Sequence, residues 1–195
     1  MRKSEQTRLS IMQTSAQLIY VKGYQSTSID DILSSMQVTK GAFFYHFKNK
    51  EEMALAFIKE LMYPGMRMMM VEPLLNSKDP IKTISKQLKD ILNNKVHFDM
   101  RYGCPMINLI EEMSPLSEAF SNSLKMMTLT WVNAISDCLK RGQANGQLRP
   151  DVNTLEVANY MVTGYAGARN MGKIFGIKSY QSFLKQFSFY MESLR

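Results

Sequence analysis

The chain has 195 residues, enough for a sizeable hydrophobic core in one or two compact units. Its net charge of +7 indicates polyanions or acidic surfaces as partners. Two cysteines are too few for a disulfide framework or a zinc site, and no run of about 18 apolar residues is present that would predict a membrane-spanning helix.

Positive charge is concentrated in the first quarter of the chain. Residues 1–50 hold seven Lys or Arg against three Asp or Glu, a balance of +4, whereas residues 51–195 hold seventeen against fourteen, a balance of +3. This asymmetry favours a small basic domain at the N-terminus. The first residues are not followed by the apolar stretch of a signal peptide, so a cytoplasmic protein without membrane contact is expected.

The first helix is predicted over residues 4–22, where apolar residues recur at helical spacing before Gly23. Arg2, Lys3 and Arg8 near its start are candidates for phosphate contact. For Arg2 and Lys3 the alternative is a frayed, solvated terminus.

Two short helices follow, and their connection predicts a helix-turn-helix. Ser28 caps the first, with Asp31 in a capping-box position, and Thr39 caps the second. Phe43 and Phe47 lie four residues apart and face a core, which leaves a polar face for a DNA major groove.

Residues 27–32 (TSIDDI) and 38–52 (VTKGAFFYHFKNKEE) together resemble the DNA-binding domain of TetR-family transcriptional repressors. The resemblance implies a helix-turn-helix head of three helices, residues 1–49, and a ligand-binding and dimerisation body, residues 50–195. It further implies a homodimer that reads an inverted-repeat operator in double-stranded DNA and is released by a small-molecule effector. One alternative is a DNA-binding adaptor whose body binds a protein partner and no small ligand, and another is a helical small-molecule enzyme with an incidental helix-turn-helix.

Two positions depart from the family pattern. Gln37 stands in the turn where the family usually has Gly, and Phe44 stands where it commonly has a phosphate-contacting Tyr. We expect Phe44 in the core of the head. The candidate DNA-binding residues are Ser28, Thr39, Lys40, Gly41, Ala42, Tyr45, His46 and Lys50.

The remaining pattern is helical throughout. Asn49 caps a helix, with Glu52 completing a capping box, that covers residues 50–62 and extends to residue 71 past a kink at Pro64. Further helices are predicted over residues 81–98, 106–113, 115–145, 153–175 and 179–194. The fold class is therefore all-α, with about nine helices.

Gly164, Ala168 and Gly172 are spaced four residues apart on one predicted helix. Glycine inside a helix costs about 1 kcal/mol relative to alanine, so a row of small residues indicates a close helix approach. Because the family dimerises through its last two helices, we expect these residues in the dimer interface. The alternative is packing within the subunit.

Methionine and aromatic residues are abundant in the body, and such side chains line adaptable apolar cavities. A plain core role is the alternative for each. An apolar or aromatic effector is expected. The candidate pocket residues are Phe98, Met100, Cys104, Met106, Asn108, Trp131, Tyr165 and Arg169. Cys104 is also a candidate sensor thiol, and Glu111 and Glu112 are expected at a solvated helix end.

No catalytic constellation is recognisable. His46 and His97 are far apart in sequence, and neither lies at metal-ligand spacing from a cysteine or carboxylate. We therefore expect no enzyme activity, no cofactor and no metal site.

Overall fold

The computed structural model describes residues 2–36 and 38–195, and Gln37, the predicted departure in the turn, lies outside them. Counting the helical run of residues 50–75 as one, the described residues form nine helices and no strand. The predicted all-α fold class is confirmed. The helices are α1 Lys3–Lys22, α2 Ile29–Met36, α3 Lys40–His46, α4 residues 50–75, α5 Pro80–Asn93, α6 Pro105–Met113, α7 Glu118–Ala144, α8 Thr154–Phe175 and α9 Ile177–Glu192.

Helix α4 alternates between α-helical and π-helical turns. Its α-helical parts are Lys50–Phe57, Tyr63–Met66 and Glu72–Leu75, and its π-helical parts are Ile58–Met62 and Arg67–Val71.

Each π-helical part ends two residues before a proline, Pro64 or Pro73. Proline cannot donate to the carbonyl four residues earlier and clashes with it in a regular helix. A π turn accommodates this, because its hydrogen bonds skip that carbonyl. One such carbonyl, that of Met69, accepts instead from Gln87 Nε2 at 3.2 Å.

The chain divides into two compact units. The first comprises the residues up to Pro64 together with Pro105–Lys125, and the second comprises Gly65–Cys104 and Met126–Arg195. The predicted functional boundary at residue 49 stays a prediction, since these units are defined by packing alone.

The core of the first unit is built on α1, α2, α3, the first part of α4, and the segment containing α6. Buried side chains from these elements include Ile11, Ile19, Ile32, Phe43, Phe47, Phe57, Leu109 and Phe120. The aromatic rings of Tyr24 and Phe120 meet edge to face at 4.9 Å. The second unit packs α5, α8 and α9 with the later part of α7, and its core includes Leu88, Trp131, Ile135, Met161, Tyr165, Tyr180 and Phe187.

The C-terminal end of α5 and the N-terminal end of α7 are among the helix ends that differ from the sequence prediction. Helix α5 ends at Asn93 rather than residue 98, because the Asn94 side chain accepts from the backbone N–H groups of Val96 and His97 and closes a turn. Helix α7 begins at Glu118 rather than residue 115, and the Ser117 hydroxyl accepts from the Phe120 N–H. No helix among the described residues is long and apolar enough to cross a membrane.

Candidate DNA-binding surface and effector site

The helix-turn-helix begins with a reciprocal cap. The Ser28 N–H donates to the Asp31 carboxylate at 2.8 Å, and the Asp31 N–H donates to the Ser28 hydroxyl at 3.0 Å, as the capping-box pattern predicts. The Ser28 hydroxyl also lowers the pKa of Asp31. At the start of α3, the Thr39 hydroxyl accepts from the Ala42 N–H at 3.3 Å, so the predicted cap of the recognition helix is present.

Helix α3 has one buried and one exposed face. Phe43 and Phe47 are 0% and 2% exposed and join the core of the head, as their spacing predicts. Tyr45 is 77% exposed. The expectation that Phe44 is in the core was wrong: it is 47% exposed, because successive helical residues point about 100° apart and Phe43 already occupies the inward direction.

The first turn of α3 is open to approach from outside. A Cβ atom built on Gly41 meets nothing within 4 Å, so packing within the chain does not require glycine there. Lys40 is exposed, with its ammonium 3.6 Å from the carboxylate of the exposed Asp30. Ala42 is half-buried beside them.

His46 is half-buried at the end of α3. Burial lowers the pKa of its imidazole, and the nearby positive charge of Arg8 lowers it further. Arg8 itself forms a two-pronged ion pair with Glu60, at 2.6 and 2.7 Å, and lies over the Phe47 ring. Arg8 therefore ties α1 to α4, and this contact takes the place of its predicted phosphate contact.

Lys50 has partners within its own chain. Its ammonium donates to the backbone carbonyls of Tyr24 at 2.9 Å and Thr27 at 3.0 Å, and it lies 4.2 Å from the centre of the Tyr24 ring. Burial lowers the pKa of Lys50, which the negative charge of Glu112 partly offsets. The ammonium of Lys50 therefore holds the turn after α1 through two of its backbone carbonyls, a contact that the sequence analysis did not predict.

Glu112 has a specific partner that the sequence analysis missed. Its carboxylate accepts from the backbone N–H groups of Tyr24 at 2.8 Å and Gln25 at 2.7 Å, rather than lying at a solvated helix end. The carboxylate also lies 3.3 Å from where a Cβ on Gly23 would be, and Gly23 has a positive φ of 91°. Gly23 indicates a tight turn in the sequence, but no neighbouring residue indicates that the acceptor for the N–H groups of this turn lies 87 residues away.

A cavity of about 280 Å³ lies within the second unit. Phe98, Met100 and Arg169, three of the candidate pocket residues, line it. The other lining residues are Leu92, Asn93, Lys95, Asp99, Ile177 and Tyr180.

The remaining candidate pocket residues are not among those lining this cavity. Trp131 and Tyr165 are 0% exposed in the core, where their rings meet edge to face at 5.2 Å. Cys104 is also buried. Burial is the main cause of the raised pKa of Tyr165, and the Cys104 thiol raises it further. Met106 and Asn108 lie on α6, in the first unit.

The row of small residues on α8 packs against α9 of the same chain. A Cβ on Gly164 would come within 2.8 Å of the Phe183 ring, and a Cβ on Gly172 would overlap the Tyr180 ring. Ala168 is 5% exposed. Gly164 and Gly172 therefore allow a close approach of α9 within the subunit. The close helix contact that was the reason to predict them in the dimer interface is made inside one chain.

These features define the class of the protein: a capped, outward-facing recognition helix belongs to a helix-turn-helix DNA-binding protein. Residues 11–57 match the family described as "Bacterial regulatory proteins, tetR family", and residues 80–186 match "Tetracyclin repressor-like, C-terminal domain". The chain belongs to the TetR family of bacterial transcriptional regulators. The predicted TetR-type transcriptional repressor is confirmed.

Individual relatives agree with this assignment. The chain is 34% identical to an HTH-type transcriptional regulator from the lacX 3' region of Lactococcus lactis subsp. lactis, over 62% of each chain. It is 25% identical to the HTH-type transcriptional repressor DhaR of Mycobacterium sp. (strain GP1), over 83% of this chain and 79% of DhaR. A TetR-family regulator from Cytophaga hutchinsonii has the same fold, with a TM-score of 0.88 at 21% identity, covering 100% of this chain and 98% of that one. These relatives are transcriptional regulators, a class without a general enzymatic activity.

Proposed function

We propose that this protein represses transcription as a homodimer that inserts α3 of each subunit into successive major grooves of an inverted-repeat operator. A small-molecule effector that binds in the body then releases the dimer from DNA. Half-sites one helical turn apart lie about 34 Å from centre to centre, so a dimer with two outward-facing recognition helices reads two related half-sites.

The observation that carries the proposal is the exposed face of α3. Thr39, Lys40 and Tyr45 are exposed on this helix and at its cap, whereas Phe43 and Phe47 are buried. A hydroxyl, an ammonium and a phenol are suited to phosphate oxygens and base edges.

Gly41 supports the same surface, because it leaves space that nothing in the chain fills. That space lets a DNA backbone come close to the start of α3, whereas packing within the chain does not require it. Ala42 and the exposed ring of Phe44 offer apolar contact suited to a thymine methyl group. Ser28 stays in the proposed surface as the capped start of α2.

The proposed dimer face is the outer side of α8 and α9. Large apolar side chains on this side are exposed in the single chain and do not contribute to its core. They are Tyr160, Met171, Ile174, Phe175, Ile177 and Phe189. An exposed apolar patch of this kind marks a protein interface.

The test measures binding of the purified protein to the DNA upstream of its own gene, by fluorescence anisotropy at several salt concentrations. Lys40→Ala is expected to weaken binding and to lower the salt slope by about one unit. Tyr45→Ala is expected to weaken binding without unfolding the head. Lys82→Ala, an exposed lysine in the body, is the matched control and should leave both quantities unchanged. Unchanged affinity and slope in the two α3 variants would remove α3 from the DNA interface.

A further inference from the structure

The side chain of Arg169 is a buried cation whose hydrogen-bond acceptors are all neutral. It is 1% exposed. Its Nε donates to the Tyr165 hydroxyl at 3.1 Å, its Nη1 to the Tyr180 hydroxyl at 3.4 Å, and its Nη2 to the Ile91 carbonyl at 2.5 Å. A guanidinium has five N–H donors, so these three bonds leave two for another acceptor.

Aromatic rings surround this guanidinium. Its central carbon lies 4.6 Å from the centre of the Phe98 ring, 5.4 Å from that of Tyr165 and 5.6 Å from that of Tyr180. Burial lowers the pKa of Arg169, but the two tyrosine hydroxyls raise it and the net shift is upward, so the side chain keeps its charge. Aromatic faces stabilise a cation only partly, and no ion pair between the described residues includes Arg169.

Arg169 also lines the cavity of about 280 Å³, together with Phe98 and Tyr180. The cavity is small for a ligand site and its wall is largely apolar, with Leu92, Met100 and Ile177. A ligand that fits it has a compact apolar body.

Charge around the cavity favours an anion. Lys95 is a second cation in the wall. Asp99 is the opposing carboxylate, but it is paired with Arg101 at 2.6 Å, and that arginine lowers its pKa. With Arg169 and Lys95 positive and Asp99 neutralised by Arg101, the wall presents an excess of positive charge.

We propose that the effector of this regulator is a small carboxylate with an apolar or aromatic body, and that its carboxylate binds Arg169. The proposal rests on the proposed ligand-responsive function and specifies the chemical class of its ligand. Arginine binds carboxylates through parallel N–H donors, and a buried charge is stabilised most when an opposite charge is also hydrogen-bonded to it. The competing explanation is structural: Arg169 only ties α8 to the Ile91 carbonyl near the end of α5.

Matched ligand pairs distinguish the two explanations. Isothermal titration calorimetry at neutral pH compares benzoate with benzamide and butyrate with butyramide, because each pair has nearly the same shape and differs in charge. At least one carboxylate is expected to bind about tenfold or more tightly than its amide. Equal binding within both pairs, or no binding of any carboxylate by folded protein, would overturn the proposal.

Variants then assign the preference to the residue. Arg169→Gln is expected to bring the carboxylate-to-amide affinity ratio close to one, and Arg169→Lys to retain part of it because the charge remains. Lys89→Gln removes an exposed charge from α5 and should keep the wild-type ratio. If Arg169→Gln does not fold, Arg169→Lys is the deciding variant. A carboxylate-to-amide affinity ratio unchanged from wild type would contradict binding through the parallel N–H donors of the guanidinium. An unchanged ratio in folded Arg169→Gln contradicts the proposal directly.

DNA binding is measured separately, so that failure of the proposed function is distinguishable. A carboxylate that binds through Arg169 yet leaves DNA affinity unchanged supports this site and contradicts effector release. A neutral compound that releases the DNA, while no carboxylate binds, supports the proposed function and overturns this ligand class.

Discussion

The carboxylate of Glu112 accepts a hydrogen bond from the backbone N–H of Tyr24 at 2.8 Å, and so connects α6 to the turn that precedes the helix-turn-helix. A second N–H, that of Gln25, donates to the other carboxylate oxygen at 2.7 Å. Because Lys50 binds the carbonyls of Tyr24 and Thr27, the same turn is held by an anion at its N–H groups and a cation at its carbonyls.

Glu112→Gln is expected to loosen this turn, because an amide offers one acceptor oxygen and places an NH₂ group against the second N–H. The free energy of unfolding should fall by about 1–2 kcal/mol. Thermal denaturation measures the loss. Glu118→Gln, which changes an exposed carboxylate at the start of α7, serves as the control. Equal melting temperatures for Glu112→Gln and wild type would show that the turn does not need the charged acceptor.

Lys50→Ala should act on stability rather than on electrostatic DNA contact. The Tyr24 and Thr27 carbonyls lose the ammonium as a donor, which costs about 1–3 kcal/mol. The salt slope of DNA binding should stay near its wild-type value, whereas Lys40→Ala lowers it by about one unit. Urea denaturation and salt-dependent anisotropy, run on both variants, separate the roles. A slope that falls by a full unit in Lys50→Ala would return this residue to the phosphate contacts.

Local patterns in the sequence were sufficient to predict most of the fold. The caps at Ser28, Thr39 and Asn49 formed as expected, since each depends on residues within three positions of itself. The third cap differs from the predicted capping box in one detail: the Glu52 carboxylate accepts from the Lys48 N–H at 2.9 Å rather than from the N–H of the capping residue, Asn49.

The contacts that the sequence did not predict join residues distant in sequence. Lys50 binds carbonyls 23 and 26 residues earlier, and Glu112 binds N–H groups 87 and 88 residues earlier. The small residues of α8 were recognised as a close-contact row, but periodicity alone does not specify whether the approaching helix belongs to the same subunit. Tertiary contacts of this kind are visible only in the folded chain.

Gly41→Ala should separate folding from DNA binding. The added methyl group meets nothing in the chain, and alanine favours the helix, so stability should rise by about 0.5 kcal/mol. In the complex the same methyl group occupies the space proposed for DNA, so affinity should fall several-fold. Gly65→Ala is a matched control in α4, where a Cβ also meets nothing within 4 Å, and it should leave DNA affinity unchanged. A Gly41→Ala protein with wild-type affinity would place DNA away from this turn.

Acid should weaken the tie between α1 and α4. The hydrogen bond from Arg8 lowers the pKa of Glu60 below its ordinary value of 4.5. A depressed folded-state pKa contributes stability that is present above pH 4.5 and is lost as pH falls through the folded-state value. The contribution is below about 1 kcal/mol, because both side chains are partly exposed. Glu60→Gln should therefore flatten the decline in melting temperature below pH 4.5, and an equally steep decline in both proteins would contradict this role.

The dimer face and the internal glycine row predict opposite outcomes for neighbouring residues of α8. Ile174 is 72% exposed, so Ile174→Glu should leave the subunit folded and weaken dimerisation about tenfold or more. Gly172 packs against the Tyr180 ring of its own chain, so Gly172→Leu should overpack that contact and lower the stability of each subunit by about 1–3 kcal/mol.

Sedimentation equilibrium and thermal denaturation of both variants make the comparison. Leu116→Glu places the same charge at an exposed apolar position of the first unit and should leave the dimer intact. If Ile174→Glu stays dimeric at the wild-type dissociation constant, the outer face of α8 is not the interface. If Gly172→Leu keeps its stability but becomes monomeric, the small residues contact the partner subunit, as their spacing alone had predicted.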